Sequence, residues 1–421
     1  MELTRRKCFF GLAALPAAVH AVSVAAQARP AEPPSPPPGG AVPQRTALPD
    51  RTDFPDVPRG YLDSGSMHPD SLGGRRAVEA YHSSRKLPGS PGSSVNSDRI
   101  LANYARLINA APAEVAFAQS TTAAEHMIVD ALGLFEGKGH VVTDTLHFFG
   151  SFPLYEGLAR RGVEVTWLRP RDGRIVLEDM ERAIRPDTKL VALSLVSTFN
   201  GFEHDLSKVC ELAHAKGAMV YADIIHAAGA VPVDLRASGV DFAGGASYKW
   251  LMGDFGLGFV YARRESQARL QRKRYGYYGV STFQSHAYPF DPPGKHIADF
   301  TMQENATGQF AMGTYAHSPA AQLDYSLQYL LTQGVDRINA HARTLTERLK
   351  RELPRLGYKV VTPPESRAPI VTCVLENARS LSPRFEQAGL HLTVSRNRFR
   401  ITPSVFNDMD DLDLLLRTLR G

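Results

Sequence analysis

The sequence predicts an α/β protein: a large domain built on a mostly parallel sheet, followed by a smaller α+β domain. Three observations carry this. Short apolar runs alternate with helical periods between Ile100 and Tyr261. The run Leu190–Val196 is apolar except for Ser194, as a strand covered on both faces requires. Beyond Leu323, two helical periods give way to short strand-like segments and a last helix. Such alternation implies parallel strands joined by right-handed crossovers.

The elements follow in order. Tyr61–Ser66 reads as a short strand entering a turn, and Ser83–Ser97, rich in Gly, Ser and Pro, as a mobile loop. Ile100–Ile108 is helical in period. Strands are predicted at Glu114–Ala118, His140–Thr143, Val163–Trp167, Leu190–Val196, Met219–Ala222, Phe242–Ser247 and Leu257–Tyr261. Between them lie helices at Thr122–Leu134, Phe152–Arg161 and Leu206–Lys216. The C-terminal part reads as helices Leu323–Leu331 and Val335–Leu353, strands Lys359–Val361, Ile370–Leu375 and Arg398–Ile401, and a helix Met409–Leu419. The organisation expected is a large domain over 59–318 and a small one over 319–421.

Residues 1–28 have the pattern of an export signal: Arg5, Arg6 and Lys7, an apolar run from Phe9, and small residues at Ala26–Ala28. Pro16 and His20 interrupt the run, which argues against a stable membrane span. Thr4–Phe10 resembles the twin-arginine signal, with Cys8 where Phe is usual. That pathway carries folded proteins, which suits a cofactor acquired before export, and implies the twin-arginine machinery as a partner and a periplasmic or other extracytoplasmic destination. The segment 29–58 is dense in proline and reads as a linker or an arm lying on a surface. The formal charge of +5 is concentrated partly in the leader, so nucleic acid is not implied. Three cysteines, Cys8, Cys210 and Cys373, give neither a disulfide framework nor a metal-ligand spacing.

The residues with chemistry sit where predicted strands end, and ligands of open α/β sheets bind beyond those ends. Asp223 closes a buried strand and needs a partner; a protonated pyridine nitrogen is one, and it makes the ring an electron sink. His226 follows three residues on. Lys249 stands between Tyr248 and Trp250, and a lysine in an apolar pocket gives up its proton readily and forms a Schiff base. Ser120, Thr121 and Thr122 open a helix after a strand, where hydroxyls and free amides make an anion site or, more plainly, an ordinary N-cap. Ser247 can add a hydroxyl. This is equipment for pyridoxal 5'-phosphate (PLP).

Asp223-x-x-His226, Ser247-x-Lys249 and Ser120–Thr122, taken together, resemble the class V aminotransferase family of PLP enzymes. The resemblance implies PLP fold type I from about Tyr61 onward. It implies Lys249 as the lysine bonded to PLP, Asp223 at the ring nitrogen, and Thr121, Thr122 and Ser247 at the phosphate. It implies His147 stacked on the ring and His226 near the phenolic oxygen. Gly313 and Thr314 match a pair that reaches the phosphate from a neighbouring subunit, hence a homodimer. Arg400 matches the arginine that grips the substrate carboxylate as a fork. Thr198 stands where many relatives carry an asparagine near the phenolic oxygen. Cysteine desulfurases of the family use a cysteine on a mobile loop, and here Cys373 falls in a predicted strand. No metal is implied. Exported members resemble the periplasmic PLP enzyme that tailors the glutamyl side chain of pyoverdine siderophores, which implies an amino substrate on a secreted peptide metabolite and an oxidative decarboxylation to an amide. Aminotransferase, epimerase, carbon–sulfur lyase and non-catalytic PLP-fold binding protein are the alternatives.

Overall fold

The structure, a computed structural model, describes residues 42–85 and 95–420. The leader, the first part of the proline-rich segment and most of the loop predicted at Ser83–Ser97 lie outside these residues. Seven strands form the large sheet: β1 Val115–Ala118, β2 His140–Asp144, β3 Glu164–Leu168, β4 Thr188–Ser194, β5 Met219–Asp223, β6 Phe242–Ala246 and β7 Gly258–Ala262. Their order across it is β1-β7-β6-β5-β4-β2-β3. The pairs among β3, β2, β4, β5 and β6 are parallel; β7 runs antiparallel to both β6 and β1.

The apolar stretch Leu190–Leu193 of β4 has a direct cause. Val191 and Leu193 belong to one hydrophobic cluster and Leu190 and Ala192 to another, on opposite faces of the sheet. In β5, Val220 and Ala222 face the first cluster while Met219 and Tyr221 face the second. Both faces are covered, so neither alternates with polar residues.

Several elements were not predicted, and the larger ones show why. The helix Leu72–Ser84 begins with Gly73 and Gly74, which are poor helix formers. A Cβ on Gly73 would lie 1.9 Å from the Tyr325 ring, so the glycine serves close packing. The helix Leu177–Ala183 is only seven residues long. The hairpin β8 Val280–Ser285 and β9 Ala298–Met302 is exposed on both faces, so no core-facing alternation marks it.

The C-terminal strands are β10 Lys359–Val360, β11 Val371–Val374, β12 Thr393–Ser395 and β13 Arg398–Ile401. They form a four-stranded antiparallel sheet in the order β10-β11-β13-β12. It packs with the helices Val335–Arg355 and Met409–Arg420 around Leu349, Phe399 and Leu415. The predicted strand at Tyr61–Ser66 is reduced to single bridges, Tyr61 to His391 and Asp63 to Thr402, which tie it to this sheet. Residues 42–58 are anchored more deeply than a surface arm: Phe54 is buried against His68, Tyr329 and Phe406. No helix among the described residues is long and apolar enough to cross a membrane.

Candidate functional site

The carboxyl ends of β2, β4, β5 and β6 bring the chemistry together. Lys249, past the end of β6, has its Nζ 3.0 Å from Nε2 of His226, past the end of β5. Both side chains are buried. Burial pulls the Lys249 pKa from the ordinary 10.5 to about 8; Arg400 adds to the effect, and Asp223 and Asp63 oppose it. Burial, with Lys249 and Arg400 beside it, also holds His226 well below the usual imidazole range, so this ring is neutral. The Trp250 indole N–H donates to Nδ1 of His226 at 3.3 Å. Nδ1 is then the acceptor, the proton sits on Nε2, and Nε2 points it at the free amine of Lys249.

The turn carrying Lys249 is tightly held. Met252, at φ +56°, has its carbonyl fixed by Ser326 Oγ at 2.8 Å, and its N–H reaches Lys249 O at 2.8 Å. Gly229, at φ +86°, passes so close that a Cβ would lie 2.4 Å from Trp250 O. Gly229→Ala is expected to destabilise by about 2–4 kcal/mol, from the left-handed backbone and the clash. Denaturant unfolding checks this; a loss below about 0.5 kcal/mol, the range of neutral surface changes, contradicts the close approach.

Asp223 is 2% exposed and makes no ion pair among the described residues. Oδ1 accepts the Ile225 N–H at 2.9 Å, and Oδ2 faces Ser194 Oγ at 3.3 Å. Burial raises its pKa; His147 and the Ile225 N–H only partly offset this. A buried acid one strand from a lysine, with no cation of its own paired to it, fits a group that brings a protonated ring nitrogen.

At the anion end, the plain N-cap reading holds for Ser120, whose Oγ accepts the Ala123 N–H at 3.1 Å. The amides of Thr121 and Thr122, in the first turn of the helix, have no intrahelical acceptor by helix geometry and are the donors an anion would take. Thr121 Oγ1 accepts the Ala246 N–H at 2.9 Å, which leaves its proton to donate. The Thr122 side chain is exposed. Ser247 corrects the expectation: its hydroxyl donates to the carbonyls of Asp254 and Leu257 at 2.7 and 2.9 Å, so its proton closes the turn and is not offered to a phosphate. Gly313 and Thr314 are exposed on a cleft of about 880 Å³ that also borders Gln119 and Leu257. Its lining contains the carboxylate of Asp98 and no basic side chain.

Arg400 is buried; Nη1 donates to Thr198 Oγ1 at 2.7 Å, Nη2 donates to Ser66 Oγ at 2.7 Å and Thr393 Oγ1 at 3.1 Å, and Nε has no partner. Thr198 Oγ1 thus accepts from the arginine, a contact that residue type alone did not show. Ser66 and Thr393, with Asp63 3.7 Å from Nη2, complete a holder that sequence reading missed.

His147 has both ring nitrogens engaged in plane, Nδ1 with Ser194 Oγ at 2.8 Å and Nε2 with Glu125 Oε1 at 2.9 Å. Glu125 also went unseen. The helix Thr121–Ala131 carries two carboxylates, Glu125 and Asp130, and only the structure shows that Glu125 is the buried one. Cys210 and Cys373 are buried, and burial pushes both thiols up to about 12. Neither offers a thiolate. No group of residues among those described could hold a metal ion.

Cysteine desulfurase IscS of Shewanella loihica is 34% identical over 176 residues, covering 41% of this chain and 43% of the relative. The same enzyme of Proteus mirabilis is 33% identical over 175 residues, with the same coverage. The match thus spans less than half the length of these curated relatives. Among solved structures, a cysteine desulfurase from Thermococcus onnurineus has a TM-score of 0.76 at 19% identity, covering 90% of this chain and 98% of that one. The cystine C–S lyase C-DES with cysteine persulfide has a TM-score of 0.76 at 17% identity, covering 88% and 99%. These likenesses establish the fold. Residues 96–383 match the aminotransferase class-V family, and the chain belongs to it.

Proposed function

We propose that this chain is a PLP-dependent enzyme acting at the α-amino carbon of an amino acid or amino-acid moiety. The observation that carries the reading is the buried Lys249–His226 pair at 3.0 Å beside a buried Asp223 with no ion-pair partner among the described residues. When bound, PLP supplies an electron sink for the α carbon. Lys249 would hold it and, once released, move a proton at the α carbon as general base. Asp223 would face the ring nitrogen, and His226 would donate its Nε2 proton to the phenolic oxygen. Thr121 and the amides of Thr121 and Thr122 would hold phosphate. Arg400, with Nε unpaired, would take the substrate carboxylate.

The finer reading is an exported enzyme, carried by the twin-arginine machinery, that works on a siderophore-like peptide metabolite by oxidative decarboxylation with dioxygen. The leader sequence supports it. A homodimer would close the cleft at Gly313 and Thr314. Carbon–sulfur lysis is the second reading, favoured by the likeness to C-DES together with the buried thiols of Cys210 and Cys373. The purified chain is expected to take up PLP with a visible absorption band. Incubation with glutamyl peptides should then consume oxygen and release carbon dioxide, whereas cystine should give persulfide under the second reading. A protein that remains colourless with PLP refutes the whole proposal; turnover that ignores oxygen refutes the oxidative part. Replacing Arg5 and Arg6 by Lys should leave the protein in the cytoplasm.

A further inference from the structure

Four buried groups from three strand ends and one helix form a chain: Glu125, His147, Ser194 and Asp223. Glu125 Oε1 meets His147 Nε2 at 2.9 Å, His147 Nδ1 meets Ser194 Oγ at 2.8 Å, and Ser194 Oγ lies 3.3 Å from Asp223 Oδ2. Glu125 is 1% exposed and accepts two more hydrogen bonds, from Ser151 Oγ and Tyr155 OH, each at 2.5 Å. With three donors it is a carboxylate, so His147 Nε2 carries a proton.

Proton counting then fixes the rest. Ser194 Oγ already accepts the Phe148 N–H at 3.2 Å and has one proton to give. If His147 is neutral, that proton goes to Nδ1 and Asp223 receives nothing from Ser194. If His147 is a cation, Nδ1–H donates to Ser194 and the hydroxyl proton turns to Asp223. The direction of one hydroxyl thus reports the charge of the histidine to the acid at the end of β5. Ser194 and Asp223 are register partners on adjacent parallel strands, which keeps their side chains on one face.

We propose that Glu125 is a positioning residue: it holds His147 as the imidazolium, and Ser194 relays that charge by keeping its proton on Asp223. The inference rests on the site being a PLP site only for its purpose, which is to keep the acid ionised opposite the ring nitrogen. The groups facing His147 are Glu125 from the helix Thr121–Ala131, Asp144 from its own turn and Asp223 from β5, with Tyr155 from the helix Phe152–Arg160 at 6.0 Å between ring centroids. Behind them, His204 lies 3.3 Å from Asp144, and Tyr221 stands near Glu125. Burial works against the His147 charge, and Glu125 overcomes it, so the titration is raised. Burial likewise works against Glu125, and His147, Ser151 and Tyr155 together hold it below the ordinary range.

The test is NMR of the histidine ring nitrogens in the full chain freed of PLP, with the His147 signal assigned by its loss in His147→Asn. Wild type should show both His147 nitrogens protonated at neutral pH. Glu125→Gln, which keeps the shape, should lose that signature and titrate at lower pH. Ser151→Ala removes one donor from the carboxylate and strengthens its pull, so the pair should keep its proton to higher pH. Opposite shifts from two neighbours are not produced by packing loss. A neutral His147 in wild type, or shifts of the same sign in both variants, overturns the proposal. Should Glu125→Gln fail to fold by circular dichroism, Ser151→Ala decides alone, no upward shift being the refuting result. A chain that gives the histidine result but binds no PLP loses the proposed function and keeps the relay.

Discussion

Lys249→Ala is expected to abolish the visible band that PLP gives with the wild-type chain and to lower turnover by at least roughly 10²–10⁴-fold, the range a general base contributes. Lys249 supplies the amine from beyond the end of β6, where its side chain is buried against His226. The environment also sets the pH behaviour. With the amine at about 8, capture of PLP by the wild-type chain should rise with pH and level off above 8, whereas an ordinary lysine would continue to gain past 10.5. Absorbance against time after mixing, over a pH series, reads this directly; a rate still climbing well past 8 contradicts the depressed pKa. The sign for stability runs the same way. The unfolded chain binds the proton up to 10.5 and the folded chain only to about 8, so this group's share of stability increases with pH between those values. Free of PLP, Lys249→Ala should therefore compare best with wild type below pH 8, and that comparison should worsen toward 10.5.

How far the sequence carried the fold depends on which physical pattern marked each element. The central residues of β4, β5 and β6 were legible because a strand covered on both faces must be apolar there. The hairpin of β8 and β9 was not, because both its faces are exposed and Phe283 and Phe300 pair across the ribbon instead of pointing into a core. The helix Leu72–Ser84 was hidden by Gly73, whose role is the approach of Tyr325 and cannot be seen without the partner.

The site divides along the same line. Lys249, Asp223 and His226 are adjacent to strand ends in the chain, so their convergence could be read from the alternation. Ser247 and Thr198 were placed near the cofactor by the resemblance, but hydroxyls are short and answer to the nearest acceptor or donor. Ser247 closes its own turn through Asp254 and Leu257, and Thr198 meets Arg400, 202 residues away in the chain. Glu125 and Ser194 were invisible for another reason: each looks like an ordinary polar residue in an apolar element until the three-dimensional neighbours supply its partners. Ser66 and Thr393 reach Arg400 only because the Tyr61–Ser66 segment bridges to the small sheet.

Asp223→Asn separates function from fold most sharply. The substitution keeps the size of the side chain and leaves an oxygen for the Ile225 N–H, which wild type binds at 2.9 Å. What it removes is the charge. Leaving one member of a buried ion pair without its partner costs roughly 3–5 kcal/mol, and at about 1.4 kcal/mol per decade of rate that corresponds to roughly two to three and a half decades, about 10²- to several 10³-fold, in turnover. Without PLP the balance reverses. Burial raises the Asp223 pKa in the folded chain, so its contribution to stability is largest at acid pH and is lost as the pH rises through that raised value. The neutral amide carries no such penalty. The variant freed of PLP should thus melt at or above the wild-type temperature at neutral pH, with the difference closing as the acid becomes protonated in both folded and unfolded states. Thermal melts across pH, set beside turnover with saturating PLP, give both halves. Turnover within tenfold of wild type would remove Asp223 from the ring nitrogen. A neutral-pH melting temperature well below wild type would mean that the acid, in spite of having no ion-pair partner among the described residues, is built into the fold and not held for a ligand.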